Sequence, residues 1–279
     1  MKILLTNDDG PGSPLLAFTI ETVAALPGID LLKIAIPDSE QSWKSHAMSG
    51  HGSINPRVTE IAGAQVTLVD GTPADCVDWA MHNLFADGEW PDLVISGVNC
   101  GKNTGLGFIL SSATIGACLH ANVAEPPRPG LAFSQDFPDL AHGAAVKAGE
   151  VSGRELAGLR VRIKSNIERV WAYLRGKEPF LRQPLTWNVN FPETTGPGAP
   201  ITETSIGDSR LKQCFQERGG RFQHSLAHYI EDPSPGSDGT VLARGQISIS
   251  RLDIRRLCAA TDPADHQPYQ PVEKGSERS

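Results

Sequence analysis

Short apolar runs of strand length alternate along the chain with longer segments whose apolar residues recur at helical spacing. Residues 2–6 (KILLT) read as a strand, and 15–26 (LLAFTIETVAAL) as a helix that Pro27-Gly28 stops. Two further apolar runs, 31–36 and 66–69, end at Pro37-Asp38 and Asp70-Gly71. A helix is expected from about Thr72-Pro73, because Thr caps well and Pro is tolerated at the first helical position. Residues 92–96 (DLVIS) give another buried strand, followed by the glycine-rich GVNCGKNTGLG, a helix over 114–123 and a strand over 130–134. Strands alternating with helices predict right-handed βαβ units. The expected fold is α/β and Rossmann-like, a mostly parallel sheet flanked by helices.

The later pattern is looser. A long helix is expected between residues 140 and 174, interrupted around 151–159, and then a strand over 185–191 (LTWNVNF). Residues 202–249 are polar and glycine-rich, with two β-like runs, AHYIE and QISIS, which read as an extended C-terminal β-hairpin appended to the core. The chain is thus divided into an α/β catalytic core (1–200), an extended hairpin and oligomerisation segment returning to the core (201–256), and a flexible tail (257–279).

Composition narrows the chemistry. The 279 residues are 39% hydrophobic and 20% charged, which suits a folded globular chain with a sizeable core. A net charge of −7 gives no basic face for a nucleic-acid polymer, so none is expected as partner. No apolar stretch is long enough for a membrane span or for a secretory h-region. The five cysteines are scattered without CxxC spacing, which fits reduced thiols and a cytoplasmic location.

The candidate chemistry starts where the first strand ends, in Thr6-Asn7-Asp8-Asp9-Gly10-Pro11-Gly12. Successive strand residues point to opposite faces, so Asp8 and Asp9 can converge only where the backbone leaves the strand. Gly10, Pro11 and Gly12 supply that break. Standing alone, NDDG reads more simply as a polar loop. Two other strand ends carry oxygen-rich loops, PDSEQSWKSH with Ser39, Ser42 and Ser45, and the loop holding Asn99. Ligands in open α/β sheets sit at such strand ends. Two carboxylates, a hydroxyl and an amide make an all-oxygen set suited to Mg²⁺ or Mn²⁺ rather than zinc. GVNCGKN is no P-loop: it is one residue short between its glycines, and Asn103 stands where Ser or Thr is required.

Taken together, these residues resemble the SurE family (survival protein E) of metal-dependent nucleotidases. The resemblance rests on Thr6-Asn7-Asp8-Asp9-Gly10, Pro37-Asp38 with Ser42, Gly71-Thr72-Pro73-Ala74-Asp75-Cys76-Val77, Ser96-Gly97-Val98-Asn99 with Gly101, Asn103 and Gly105, then Ser237-Asp238 and Gly245-Gln246-Ile247-Ser248-Ile249. It implies one divalent metal ion per subunit, held by Asp8, Asp9, Ser42 and Asn99, with Asp8 or Asp9 as catalytic base. It implies hydrolysis of nucleoside 5′- or 3′-monophosphates, phosphate contacts from Asn7, Ser112 and Thr114, and a homodimer or homotetramer. A broader phosphatase, or a nucleotide- or metal-binding homologue without turnover, are the alternatives.

The chain departs from the family pattern in ways that bear on substrate. Gln41 replaces the usual Arg before the ligand Ser, Leu15 a usual Gly, and His120 an expected Glu. Lys44 or Lys102 would compensate for the lost cation, unless both are ordinary solvated lysines. The phosphate loop in LSSATIGACLHA can be placed at Ser111 or, one residue on, at Ser112-Ala113-Thr114. The second register puts the loop at the N-terminus of the helix that follows, a natural anion site. His46 is a lesser phosphate candidate, and His82 and His120 read as structural. Trp43 reads equally as a base-stacking platform or a loop cover, and Cys100 as a packing residue.

Overall fold

A computed structural model of the chain describes residues 1–194, 198–225 and 229–258. The elements run β1 (Lys2–Thr6), α1 (Pro14–Ala24), β2 (Leu31–Pro37), β3 (Arg57–Ile61), β4 (Ala64–Val69), α2 (Pro73–Asn83), β5 (Leu93–Cys100), α3 (Gly105–Ser111), α4 (Ala113–Val123) and β6 (Gly130–Gln135). They continue with α5 (Leu140–Lys147), α6 (Gly153–Arg175), β7 (Thr186–Phe191), β8 (Ile201–Glu203), β9 (Arg210–Leu211), β10 (Phe215–Arg218), β11 (Arg221–His224), β12 (Tyr229–Ile230), α7 (Asp238–Ala243) and β13 (Ile247–Leu252).

Nine strands form the main sheet in the order β3-β4-β2-β1-β5-β6-β7-β13-β8. From β4 through β7 all neighbours are parallel. Strand alternation explains the layers. Ile3 and Leu5 of β1 and Ile95 of β5 face the side covered by α1 and α6, with Leu16, Ile20, Ile163 and Ile167. Leu4 and Val94 face the other side, where α2 and α4 bring Val77, Ala80, Ala117 and Ala121. The α/β, mostly parallel architecture expected from the alternation is the observed one.

Three local differences have physical causes. The expected long helix is two: Lys147 ends α5, and Ser152 starts α6 by accepting a hydrogen bond from the Glu155 amide at 3.2 Å. Helix α3 forms inside the glycine-rich loop, because Asp238 accepts the Gly105 amide at 2.9 Å and the Gly207 amide at 3.1 Å. QISIS is not a hairpin strand. It becomes β13, antiparallel to β7 and parallel to β8 in the main sheet, since Ile247 and Ile249 are fully apolar-faced and buried there. The outlying hairpin is instead β10–β11, while β9 pairs with β12. The run AHYIE includes two residues outside the described set, and the tail from residue 259 lies outside it altogether. No single helix among the described residues is long and apolar enough to cross a membrane.

Candidate active site

The chain moves from β1 to β2 on one side and to β5 on the other, so β1 and β5 flank a point where strand order reverses. Such a switch point opens a crevice at the carboxyl ends of the strands. Here the crevice is a cleft of 630 Å³ lined by Asp8, Asp9, Glu40, Ser42, Asn99, Ser112, Lys147 and an aromatic wall of Trp43, Phe108 and Tyr229.

The backbone leaves β1 at Gly10, which has φ +75° and approaches Ser39 so closely that a Cβ there would lie 3.1 Å from its carbonyl carbon. That approach docks the loop after β2 on the loop after β1, and the Gln41 amide donates to the Asp8 carbonyl at 2.8 Å. Gly97 does the equivalent work in β5. Its φ of +113° accompanies a shift of register against β6 between Ser96 and Asn99, and a side chain would strike the Phe133 carbonyl. The bulge carries Asn99 into the cleft.

Asp8 and Asp9 are 2% and 5% exposed. Asp8 accepts a hydrogen bond from the Thr114 hydroxyl at 2.7 Å. Burial, then the neighbouring Asp9 charge, push Asp8 up to about 7. Asp9 accepts the Cys100 amide at 3.0 Å and pairs with the Lys147 ammonium at 2.5 Å. Lys147 also reaches Glu40 and the Ser42 hydroxyl, each at 3.0 Å. Burial alone would raise Glu40, but hydrogen bonds from Ser42 and the Lys147 charge outweigh it and hold Glu40 below its usual range. Asn99 spends its amide nitrogen on the Gly101 carbonyl at 2.7 Å, which leaves the amide oxygen as the atom it can offer a cation.

The four expected metal positions therefore line one cleft. Their chemistry fits a hard cation: two buried carboxylates gathered with a hydroxyl and an amide. Among the described residues no group of three or more His, Cys, Asp and Glu side chains is placed to hold a metal, and the candidate set draws on a hydroxyl and an amide beside its two carboxylates.

The three expected phosphate contacts separate. Ser112 lines the cleft and caps α4, accepting the Ile115 amide at 3.2 Å. Thr114 is fully buried and turned to Asp8, and Asn7 is 2% exposed and donates to the Gly10 carbonyl at 3.0 Å. Both brace the acidic loop rather than face the cleft.

The remaining candidates also find places. Lys44 is exposed, while Lys102 lines the cleft and pairs with Glu231 at 3.6 Å. Trp43 meets His224 of β11 edge-on at 4.8 Å. His46 and His120 share a hydrogen bond of 3.1 Å, and His120 reaches Asp78 at 3.2 Å. His82 contacts the Asp78 carbonyl at 2.8 Å. Burial and Asp9 push the Cys100 thiol well up, and its side chain packs on the core edge, 3.8 Å from the Ser13 hydroxyl. Lys147 and Glu40 carried no sequence signal: one closes a small apolar helix, the other sits among loop polars.

Comparison with known proteins gives the family and the fold. The family model described as Survival protein SurE matches residues 3–213. A 5′-nucleotidase SurE of Citrifermentans bemidjiense is 43% identical over 260 residues, 91% of this chain and 93% of the relative. One from Thermofilum pendens is 30% identical over 270 residues, 95% of each chain. The crystal structure of the SurE protein from Aquifex aeolicus matches with a TM-score of 0.65 at 20% identity, covering 91% of this chain and 94% of that one. With its acidic β1 loop, its β5 bulge and these relatives across nearly its full length, the chain belongs to the SurE family.

Proposed function

We propose that the protein is a metal-dependent phosphomonoesterase that hydrolyses nucleoside 5′- or 3′-monophosphates to nucleoside and phosphate. The observation that carries this reading is the pair of adjacent buried carboxylates, Asp8 and Asp9, at the switch point of the sheet, with Ser42 and Asn99 lining the same cleft. The relatives' name, 5′-nucleotidase SurE, supports the same reaction.

Asp8, Asp9, Ser42 and Asn99 would hold one divalent ion per subunit, Mg²⁺ or Mn²⁺. When bound, such an ion polarises a phosphoryl oxygen and lowers the pKa of water. Asp8 or Asp9 accepts the proton of the attacking water at a carboxylate oxygen. Ser112 stands at the N-terminus of α4, where backbone amides and the helix dipole favour an anion, and it orients the phosphate there. Trp43, Phe108 and Tyr229, tilted against one another, offer aromatic faces and edges to a nucleobase.

The finer assignments follow the same reading. The β10–β11 hairpin, with Phe215 55% and Phe222 69% exposed, is the contact through which copies of the chain associate as a dimer or tetramer. The free thiols of Cys76 and Cys118, buried and unbridged, suit a reducing cytoplasm.

Phosphate release across a panel of nucleoside monophosphates and simple phosphate esters tests the proposal. EDTA should abolish release, and Mn²⁺ or Mg²⁺ should restore it. Hydrolysis that is indifferent to chelator would overturn the metal-dependent reading, and ligand-induced stabilisation without any release would turn it to a binding protein.

A further inference from the structure

One cation in the cleft occupies the place that a divalent ion would take. The Lys147 ammonium lies 2.5 Å from Asp9, 3.0 Å from the Ser42 hydroxyl and 3.0 Å from Glu40. Its charge is thereby set against three oxygens, two of which belong to the candidate ligand set. An ammonium and a divalent ion compete for the same oxygens, because at contact distance of shared ligands two cations repel each other strongly at protein dielectric. Either cation must exclude the other.

We propose that Lys147 is a relocating cation of this active site. It holds Asp9 and Ser42 until a divalent ion takes them, and then, still tethered to Glu40, turns to the phosphoryl group of the substrate as a positioning residue. The inference rests on the nucleotidase reading above and adds a specificity device to it.

Three features support the relocation. Glu40 is outside the ligand set, so it can keep its bond when Asp9 and Ser42 release theirs. Lys147 is in the last turn of α5, and its ammonium hangs on a flexible four-carbon stem within the cleft. The other lysine of the cleft, Lys102, is already held by Glu231 at 3.6 Å and flanked by Asp136, so Lys147 is the ammonium that metal entry sets free.

The test compares the full-length wild type with Lys147→Met and Lys147→Arg. Mn²⁺ binding is measured by calorimetry without substrate, and inorganic phosphate binding is measured on the Mn²⁺-loaded proteins. Lys147→Met should bind Mn²⁺ about tenfold more tightly and phosphate about tenfold more weakly, the scale of losing one charge-assisted contact. Lys147→Arg, which keeps the charge, should stay within about threefold of wild type in both measurements, and a native-like melting curve of Lys147→Met itself guards against its misfolding. Unchanged or weaker Mn²⁺ binding in a folded Lys147→Met protein, or unchanged phosphate binding, overturns the role given to Lys147 and leaves the nucleotidase reading intact. A wild type that binds no Mn²⁺ overturns that reading itself.

Discussion

Asp8 owes its position to Thr114, whose buried hydroxyl is 2.7 Å away and comes from the first turn of α4. Removing that donor leaves a buried carboxyl without the hydrogen bond that favours its ionised form. Thr114→Val should therefore cost about 1–3 kcal/mol of stability in EDTA, measured by urea melts, with a smaller loss once Mn²⁺ is added. Equal stability of variant and wild type in EDTA would deny Thr114 this bracing role. Much of the site was legible at this scale. Acids that interrupt an apolar run, an amide at the next strand end and a serine loop between them all announce themselves as residue types in a telling order. What a linear reading could not supply is direction: Thr114 and Asn7 have the right chemistry for phosphate, yet α4 and the β1 turn point them into the protein. Lys147 shows the converse, a decisive contact made by a residue whose sequence surroundings are bland.

At the scale of elements, signals that act within a few residues transferred well from sequence to structure. Thr72 and Asp75 form a reciprocal cap at the start of α2: the Asp75 amide donates to the Thr72 hydroxyl at 3.2 Å, and the Thr72 amide to the Asp75 carboxylate at 2.8 Å. Ser49 adds its amide and hydroxyl to the same carboxylate, at 3.0 and 2.7 Å, clamping the long loop between β2 and β3. Burial by itself would raise Asp75, but these donors prevail and hold it below the ordinary carboxylate value. A lowered folded-state pKa means stability that is fully present above the unfolded value of about 4 and is lost as pH falls through the folded one. Asp75→Asn should then be about 1–3 kcal/mol less stable at pH 7, and the gap should narrow below pH ~4. A gap that stays constant down to pH ~3 would sever the cap from the acid response. The elements that escaped the sequence, α3 and β13, depend instead on distant partners. Asp238 fixes the start of α3 from across 133 positions, and β13 acquires its place only when β7 and β8 stand ready on either side.

For the molecule as a whole, the return of the chain to its sheet separates what is built in from what is left outside. After β8 joins the edge of the main sheet, the chain leaves through β9–β12 and comes back as α7 and β13, so the excursion lies outside that sheet. It includes the β10–β11 hairpin, where Phe222 opposes Glu217 and Phe215 opposes His224. A two-stranded hairpin is marginal in water without a packed face. Here Phe215 meets the His224 ring at 5.6 Å, which in turn meets Trp43 at the rim of the cleft, while Phe222 remains 69% exposed. Exposed aromatics on a hairpin outside the main sheet are what a self-association surface needs, and they are costly to leave in water. Phe222→Ser removes an exposed apolar side chain outside the candidate ligand set, so it should leave Mn²⁺ affinity within about twofold of wild type while shifting the sedimentation coefficient at micromolar protein toward the monomer. If the variant sediments as wild type does, copies of the chain meet elsewhere. If it dissociates and Mn²⁺ binding falls with it, the hairpin also steadies the cleft, through the contact of His224 with Trp43, one residue after the candidate ligand Ser42.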